Sequence, residues 1–131
     1  MENTGDPYHA HIYYLLDRRA AAENLRLRLI DLRESGKIPR LFFVGDLRDH
    51  KVGPHPIPQF EIHFANEALP VILPLIEASG LTALVHPLTD DDLADHTRLG
   101  QWVGEPLELD LTTLDPPGVN QGIARFGKSD F

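Results

Sequence analysis

Six of the seven histidines in this 131-residue chain fall in segments that a sheet and its loops can gather into one pocket. His9 and His11 share the run Tyr8-His9-Ala10-His11-Ile12-Tyr13-Tyr14. His55 lies in Gly53-Pro54-His55-Pro56, and His63 follows Gln59-Phe60-Glu61-Ile62. His86 closes the apolar run 81–85, and His96 sits in Asp95-His96-Thr97. Only His50 stands apart, in a polar stretch. Imidazole is the commonest protein ligand for zinc, iron, copper and nickel, and the side chain that titrates nearest neutral pH. The chemistry these residues suggest is therefore metal binding, proton transfer, or both.

Each residue has an ordinary alternative. His-x-His on a strand is often a solvated polar pair, His63 reads as a surface histidine, and Glu61 alone is an exposed acid. Gly53-Pro54-His55-Pro56 serves equally well as a rigid connector, His96 as an inward-packed histidine, and Trp102 as packing. What matters is whether the elements converge.

Residues 8–16 alternate as a strand, with Ala10, Ile12, Tyr14 and Leu16 on one side and His9, His11, Tyr13 and Leu15 on the other. Asp17 offers an N-cap, and apolar positions 22, 25, 29 and 32 carry a helix that Gly36 and Pro39 stop. Residues 41–47 read as a second strand, 53–58 as a Pro/Gly loop, and 59–64 as a third strand. Asn66 opens a helix to Ser79, with Pro70 in its first turn, a kink expected at Pro74 and Gly80 as its stop. Residues 81–86 form a fourth strand. Thr89-Asp90-Asp91-Asp92 resembles a capping box for a short helix ending near Gly100, and 107–111 reads as an added edge strand. The order βαββαβ predicts a ferredoxin-like α+β fold with a short extra helix and a C-terminal edge strand. We expect one domain over 1–131, with its core at about 8–111 and an extended tail over 112–131.

In that fold the first and third strands are central neighbours and the fourth lies beside the first. With Ile12, Phe60, Ile62 and Val85 facing the helices, the other face carries His9, His11, Tyr13, Gln59, Glu61, His63, Leu84 and His86. Two histidines and a carboxylate with positions left open are the usual ligand set of a non-haem iron(II) oxygenase. His11, Glu61 and His86 are the candidate ligands, with His9 and His55 close enough to replace one of them. A sheet face uncovered by its own helices would expose Leu84, Leu15 and Phe42, for which a second subunit, a homodimer, is the simplest cover.

Composition narrows the class. The net charge of −8 disfavours nucleic acid, and basic residues gather only on the first helix, mixed with acids. The absence of cysteine removes thiolate nucleophiles and cysteine-ligated metals. No apolar run approaches the roughly 18 residues of a membrane span. Glu2 and Asp6 do not suit a signal peptide, so a cytoplasmic location is expected.

Three segments, HAHIYY at 9–14, GPHPIPQFEI at 53–62 and LVHPLTDDDLADHTRLGQWVG at 84–104, resemble the DOPA 4,5-dioxygenase family, in that family's order. The resemblance implies a ferredoxin-like fold and extradiol cleavage of a catechol by molecular oxygen at iron(II), with zinc or another divalent metal able to occupy the site. Carried onto these blocks, it marks His9 and His11, His55 and Glu61, and His86 and His96. It leaves open which of these bind metal. A histidine outside the ligand set would take the catechol proton and return one as the O–O bond breaks, a role that suits His55 or His96; Tyr13 would hydrogen-bond a substrate oxygen. Two rival readings stand beside it: a zinc- or nickel-binding protein without oxygen chemistry, and a dimeric ferredoxin-like binding module.

Overall fold

The computed structural model describes residues 6–89 and 91–114. Period-two alternation in three runs produces its three central strands. In chain order the elements are β1 (Pro7–Tyr13), α1 (Arg19–Glu34), β2 (Leu41–Val44), β3 (Gln59–Ala65), α2 (Leu69–Ser79), β4 (Thr82–Pro87), α3 (Asp92–His96) and β5 (Gln101–Val103). The strands form one antiparallel sheet ordered β2-β3-β1-β4-β5. This is the ferredoxin-like arrangement with one strand added beside β4.

One sheet face is apolar and packs on the two long helices. Ala10, Ile12, Phe60, Ile62, Phe64, Ala83 and Val85 meet Ala22, Leu25 and Leu29 of α1 and Ile72 and Ile76 of α2. The helical spacing read at 22, 25 and 29 is the buried stripe, and Leu32 packs at its margin. Pro70 occupies the first turn of α2, Pro74 lies within the same helix, and Gly80 closes it in the left-handed conformation at φ 75°.

Three local expectations are corrected. Strand β1 stops at Tyr13, and Leu16–Arg18 forms a 3₁₀ turn closed by Arg18 N–H on the Leu15 carbonyl at 2.8 Å. That turn places Asp17 inside itself, so α1 begins at Arg19 without an Asp17 cap. The edge strand is 101–103 rather than 107–111. Leu84 pairs with Trp102, whereas Asp110 N–H donates to the Pro54 carbonyl and holds its segment over the 53–58 loop.

The third correction concerns the second sheet face, which is not open. His55, α3 and the 107–111 segment lie over it. Leu84 is completely buried, Phe42 is half-buried, and only Leu15 of the three expected apolar residues is exposed. An uncovered sheet face therefore gives no reason for a second subunit. Among the described residues, no helix is long and apolar enough to cross a membrane. The tail from Asp115 lies outside the described residues.

Gly100 lets α3 and β5 close onto this face. A Cβ there would stand 2.9 Å from Leu84 Cδ1 and 3.1 Å from the Asp95 carbonyl oxygen. Gly100→Ala should therefore destabilise the fold by about 1–3 kcal/mol through overpacking. A urea midpoint equal to wild type would show that the turn relaxes freely.

Candidate metal centre

Strand register lays the polar residues out in rungs. Phe43, His63, His9 and His86 form one rung across β2, β3, β1 and β4. The next rung holds Glu61, His11, Leu84 and Trp102, and the next Gln59, Tyr13 and Thr82. His55 descends from the loop, its ring 4.0 Å from that of His11, and His96 of α3 brings its ring to 4.2 Å from that of His86. All six histidines are buried, as are Glu61 and Gln59.

The hydrogen bonds determine which nitrogens carry protons. His86 Nδ1 lies 2.8 Å from the Pro87 carbonyl oxygen, and His96 Nδ1 lies 2.8 Å from that of Asp92. A carbonyl only accepts, so both rings donate through Nδ1–H, and each neutral ring keeps its lone pair on Nε2. His11 Nδ1 likewise faces Gln59 Oε1 at 3.1 Å. The Nε2 atoms of His11 and His86 then approach to 3.0 Å with lone pairs facing each other. No proton is left to join them. Two imidazole nitrogens bound to one cation at about 2.1 Å, near a right angle, lie roughly 3 Å apart. The pair fits a shared divalent metal.

Three groups of ligand atoms lie mutually within 4.8 Å: His9, His11 and His86; His11, His55 and His96; and His9, Glu61 and His63. His11 and His86 are thus grouped with His9, while Glu61 is grouped with His9 and His63. Register explains the separation of Glu61 from His86. They stand on β3 and β4 with β1 between, roughly 10 Å apart across the sheet and offset by one rung. Tyr13 Oη lies 2.6 Å from His55 Nδ1, and its ring stacks at 5.9 Å on Trp102. His96 and Trp102 also line a cavity of about 310 Å³ with Leu107, Glu108, Leu109 and Leu111, which gives His96 an outer side.

Sequence reading placed His63 and Gln59 on this face and gave neither a role. The structure assigns Gln59 to orienting His11, and His63 to Glu61 at 3.1 Å. Their alternation with Glu61 was the available signal. Asp95, also buried, accepts from Thr89 N–H at 2.9 Å and Thr89 Oγ1 at 2.6 Å, tying α3 to the end of β4.

Burial holds the basicity of His9, His11, His55 and His86 well below the usual imidazole range, and neighbouring imidazoles add to the effect. Neutral rings are what a metal requires. Burial also pushes the Tyr13 phenol far up, so it stays protonated. In the unfolded chain the same histidines titrate near 6.5, so below that pH the unfolded state binds more protons than the folded one. Stability of the chelator-treated protein should therefore be full above about pH 7 and fall as pH drops through 6.5. Each histidine contributes a slope approaching about 1.4 kcal/mol per pH unit. A flat urea midpoint between pH 7 and 5.5 would contradict this arrangement.

Known proteins are similar to this chain in sequence and in fold. The chain is 31% identical over 112 residues to a DOPA 4,5-dioxygenase of Amanita muscaria, covering 82% of this chain and 49% of that protein. It is 30% identical over 117 residues to an uncharacterised 21.2 kDa protein of Botryotinia fuckeliana, covering 82% of this chain and 62% of that one. It thus spans about half to three-fifths of the length of these relatives. A solved structure from Nostoc punctiforme, whose description proposes a dioxygenase, superposes with a TM-score of 0.72 at 28% identity, covering 86% of this chain and 96% of that one. The sequence pattern of the Dopa 4,5-dioxygenase family matches residues 8–113, which takes in the whole histidine face, and the chain belongs to that family.

Proposed function

We propose that this protein is an extradiol dioxygenase that opens a catechol ring with molecular oxygen at a non-haem iron(II) held by His11 and His86, with His9 as third ligand. The observation that carries this reading is the facing of the His11 and His86 Nε2 atoms at 3.0 Å while their Nδ1 atoms address oxygen acceptors. Family membership supplies the reaction class. Iron(II), when bound, brings catechol and oxygen together and opens a spin-allowed path between them.

The remaining chemistry belongs to the chain. Trp102, Leu107, Leu109 and Leu111 offer apolar contact to an aromatic ring that enters beside His96. The walls of the buried site exclude water from the reacting groups. His55, kept neutral by burial, takes the catechol proton on Nε2 while its Nδ1–H donates to the Tyr13 phenolic oxygen at 2.6 Å. The same proton is available for return as the ring opens. His96 presents Nε2 from the cavity side because its Nδ1–H is held by the Asp92 carbonyl. The Glu61 carboxylate groups with His9 and His63, although its backbone pairs with His11 across the strands.

The test is direct. Anaerobically purified protein loaded with iron(II), then given DOPA, dihydroxyphenylacetate or protocatechuate with air, should consume oxygen and form a yellow ring-opened semialdehyde. Full iron loading without oxygen uptake on any catechol would favour a zinc- or nickel-binding protein without oxygen chemistry.

Residue roles separate in two further measurements. His11→Ala and His86→Ala should each reduce iron retained after gel filtration by at least about tenfold. His55→Gln should keep its iron and lose about 10²–10⁴-fold in kcat. Iron lost in step with activity in His55→Gln would make His55 a ligand, as its grouping with His11 and His96 allows. Normal iron in both alanine variants would remove His11 and His86 from the centre.

A further inference from the structure

The cavity beside His96 has a polarity that the proposed reaction does not account for. Trp102, Leu107, Leu109 and Leu111 give it apolar walls, and His96, Thr97 and Glu108 give it polar ones. These three side chains offer electron pairs rather than protons. His96 commits Nδ1–H to the Asp92 carbonyl at 2.8 Å, which leaves the Nε2 lone pair. The Thr97 hydroxyl donates to the Leu93 carbonyl at 2.6 Å, so its oxygen can only accept. Glu108 adds a carboxylate. Among the described residues, no lysine or arginine lines the cavity. Lys51 is paired with Asp110 at 3.7 Å, and Arg98, next to Thr97 in the chain, does not reach the lining. We propose that this cavity receives the side chain of the substrate and, through Glu108, selects one that ends in an ammonium group.

The proposal rests on the catechol reading above. A catechol that presents both hydroxyls to the histidines turns its opposite edge away from them. His96 and Trp102 join the two regions. The His96 ring is 4.2 Å from that of His86, the Trp102 ring is 5.9 Å from that of Tyr13, and both residues line the cavity. A substituent on the far edge of the ring therefore extends past Trp102 towards the 107–111 segment, where Glu108 stands exposed. An ammonium group there meets a carboxylate and an indole, and cations are attracted to the faces of aromatic rings. A terminal carboxylate meets like charge and lone pairs instead.

Taken alone, Glu108 is an ordinary solvated acid. What sets it apart is its place in a lining whose other polar side chains have already committed their protons, with Trp102 the one side chain left to donate. Its exposure limits the size of the effect, because water weakens an ion pair at the surface. The selectivity is accordingly modest and falls on binding.

The chain's single tryptophan reports on this cavity directly. Phenethylamine and phenylpropionate share a phenyl ring and an ethylene arm and differ in terminal charge. Neither has catechol hydroxyls, and neither absorbs where indole is excited at its red edge. Titrated into the full chain, phenethylamine should half-saturate the Trp102 fluorescence change at a concentration at least about fivefold lower than phenylpropionate. Glu108→Gln keeps the side chain's shape and should bring the two within about twofold. In iron-loaded protein the KM for dopamine should lie below that for dihydroxyphenylpropionate by a similar factor at similar kcat, with DOPA, which carries both charges, between them. Equal binding of the two probes, a fluorescence response to neither, or a preference that survives in Glu108→Gln would overturn the proposal. Ring cleavage without preference for dopamine would overturn it and leave the reaction standing. Selective binding of phenethylamine, without oxygen uptake on any catechol, would remove the reaction and leave the selectivity of the cavity standing.

Discussion

Two Nε2 lone pairs brought within 3.0 Å of each other repel unless one cation binds both, and this constraint organises the molecule. It arises because the Nδ1 side of each ring is already engaged. Pro87 supplies a backbone carbonyl to His86, and Gln59, on the strand next to β1, supplies a side-chain oxygen to His11. Strand β1 is central to the sheet, so His11 can meet β3 on one side and β4 on the other. The ferredoxin-like order therefore does more than carry the site. It gives each ring an orienting partner and leaves the coordinating nitrogens facing inward.

The two faces of the sheet divide the work. Helices α1 and α2 bury one face with aliphatic and aromatic side chains, and most of the folding free energy arises from such burial. The other face buries six imidazoles and a carboxylate, groups that cost free energy when removed from water unless they find partners. Keeping His9, His11, His55 and His86 neutral reduces that cost and leaves them ready for a cation. Such a face is tolerable because the apolar face stabilises the same strands.

Alternation made much of this legible. His9, His11, Tyr13, Glu61, His63 and His86 were placed on one face by counting in twos, and the strand order followed from the turn residues between runs. The cover over that face was not legible. Nothing in the residues of the 53–58 loop or the 107–111 segment says that they lie over this face, so Leu84 looked exposed and a second subunit looked the simplest cover. The edge strand was misplaced for a related reason: Gln101-Trp102-Val103 is too short to alternate convincingly, whereas Leu107 and Leu109 alternate without a strand beside them. Grouping Glu61 with His11 and His86 relied on a shared face, and a face does not specify the rung: His9 shares one with His86, and Glu61 shares the next with His11.

The proton positions on His11 and His86 test the central claim most directly. Histidine-labelled protein, chelator-treated and then loaded with zinc(II), can be read by long-range proton–nitrogen NMR, which distinguishes the two ring nitrogens. The account predicts that both rings keep a proton on Nδ1 throughout and that their Nε2 resonances move together when zinc(II) is added. A proton on Nε2 of either ring in the zinc-loaded protein, or Nε2 resonances indifferent to zinc(II), would contradict it.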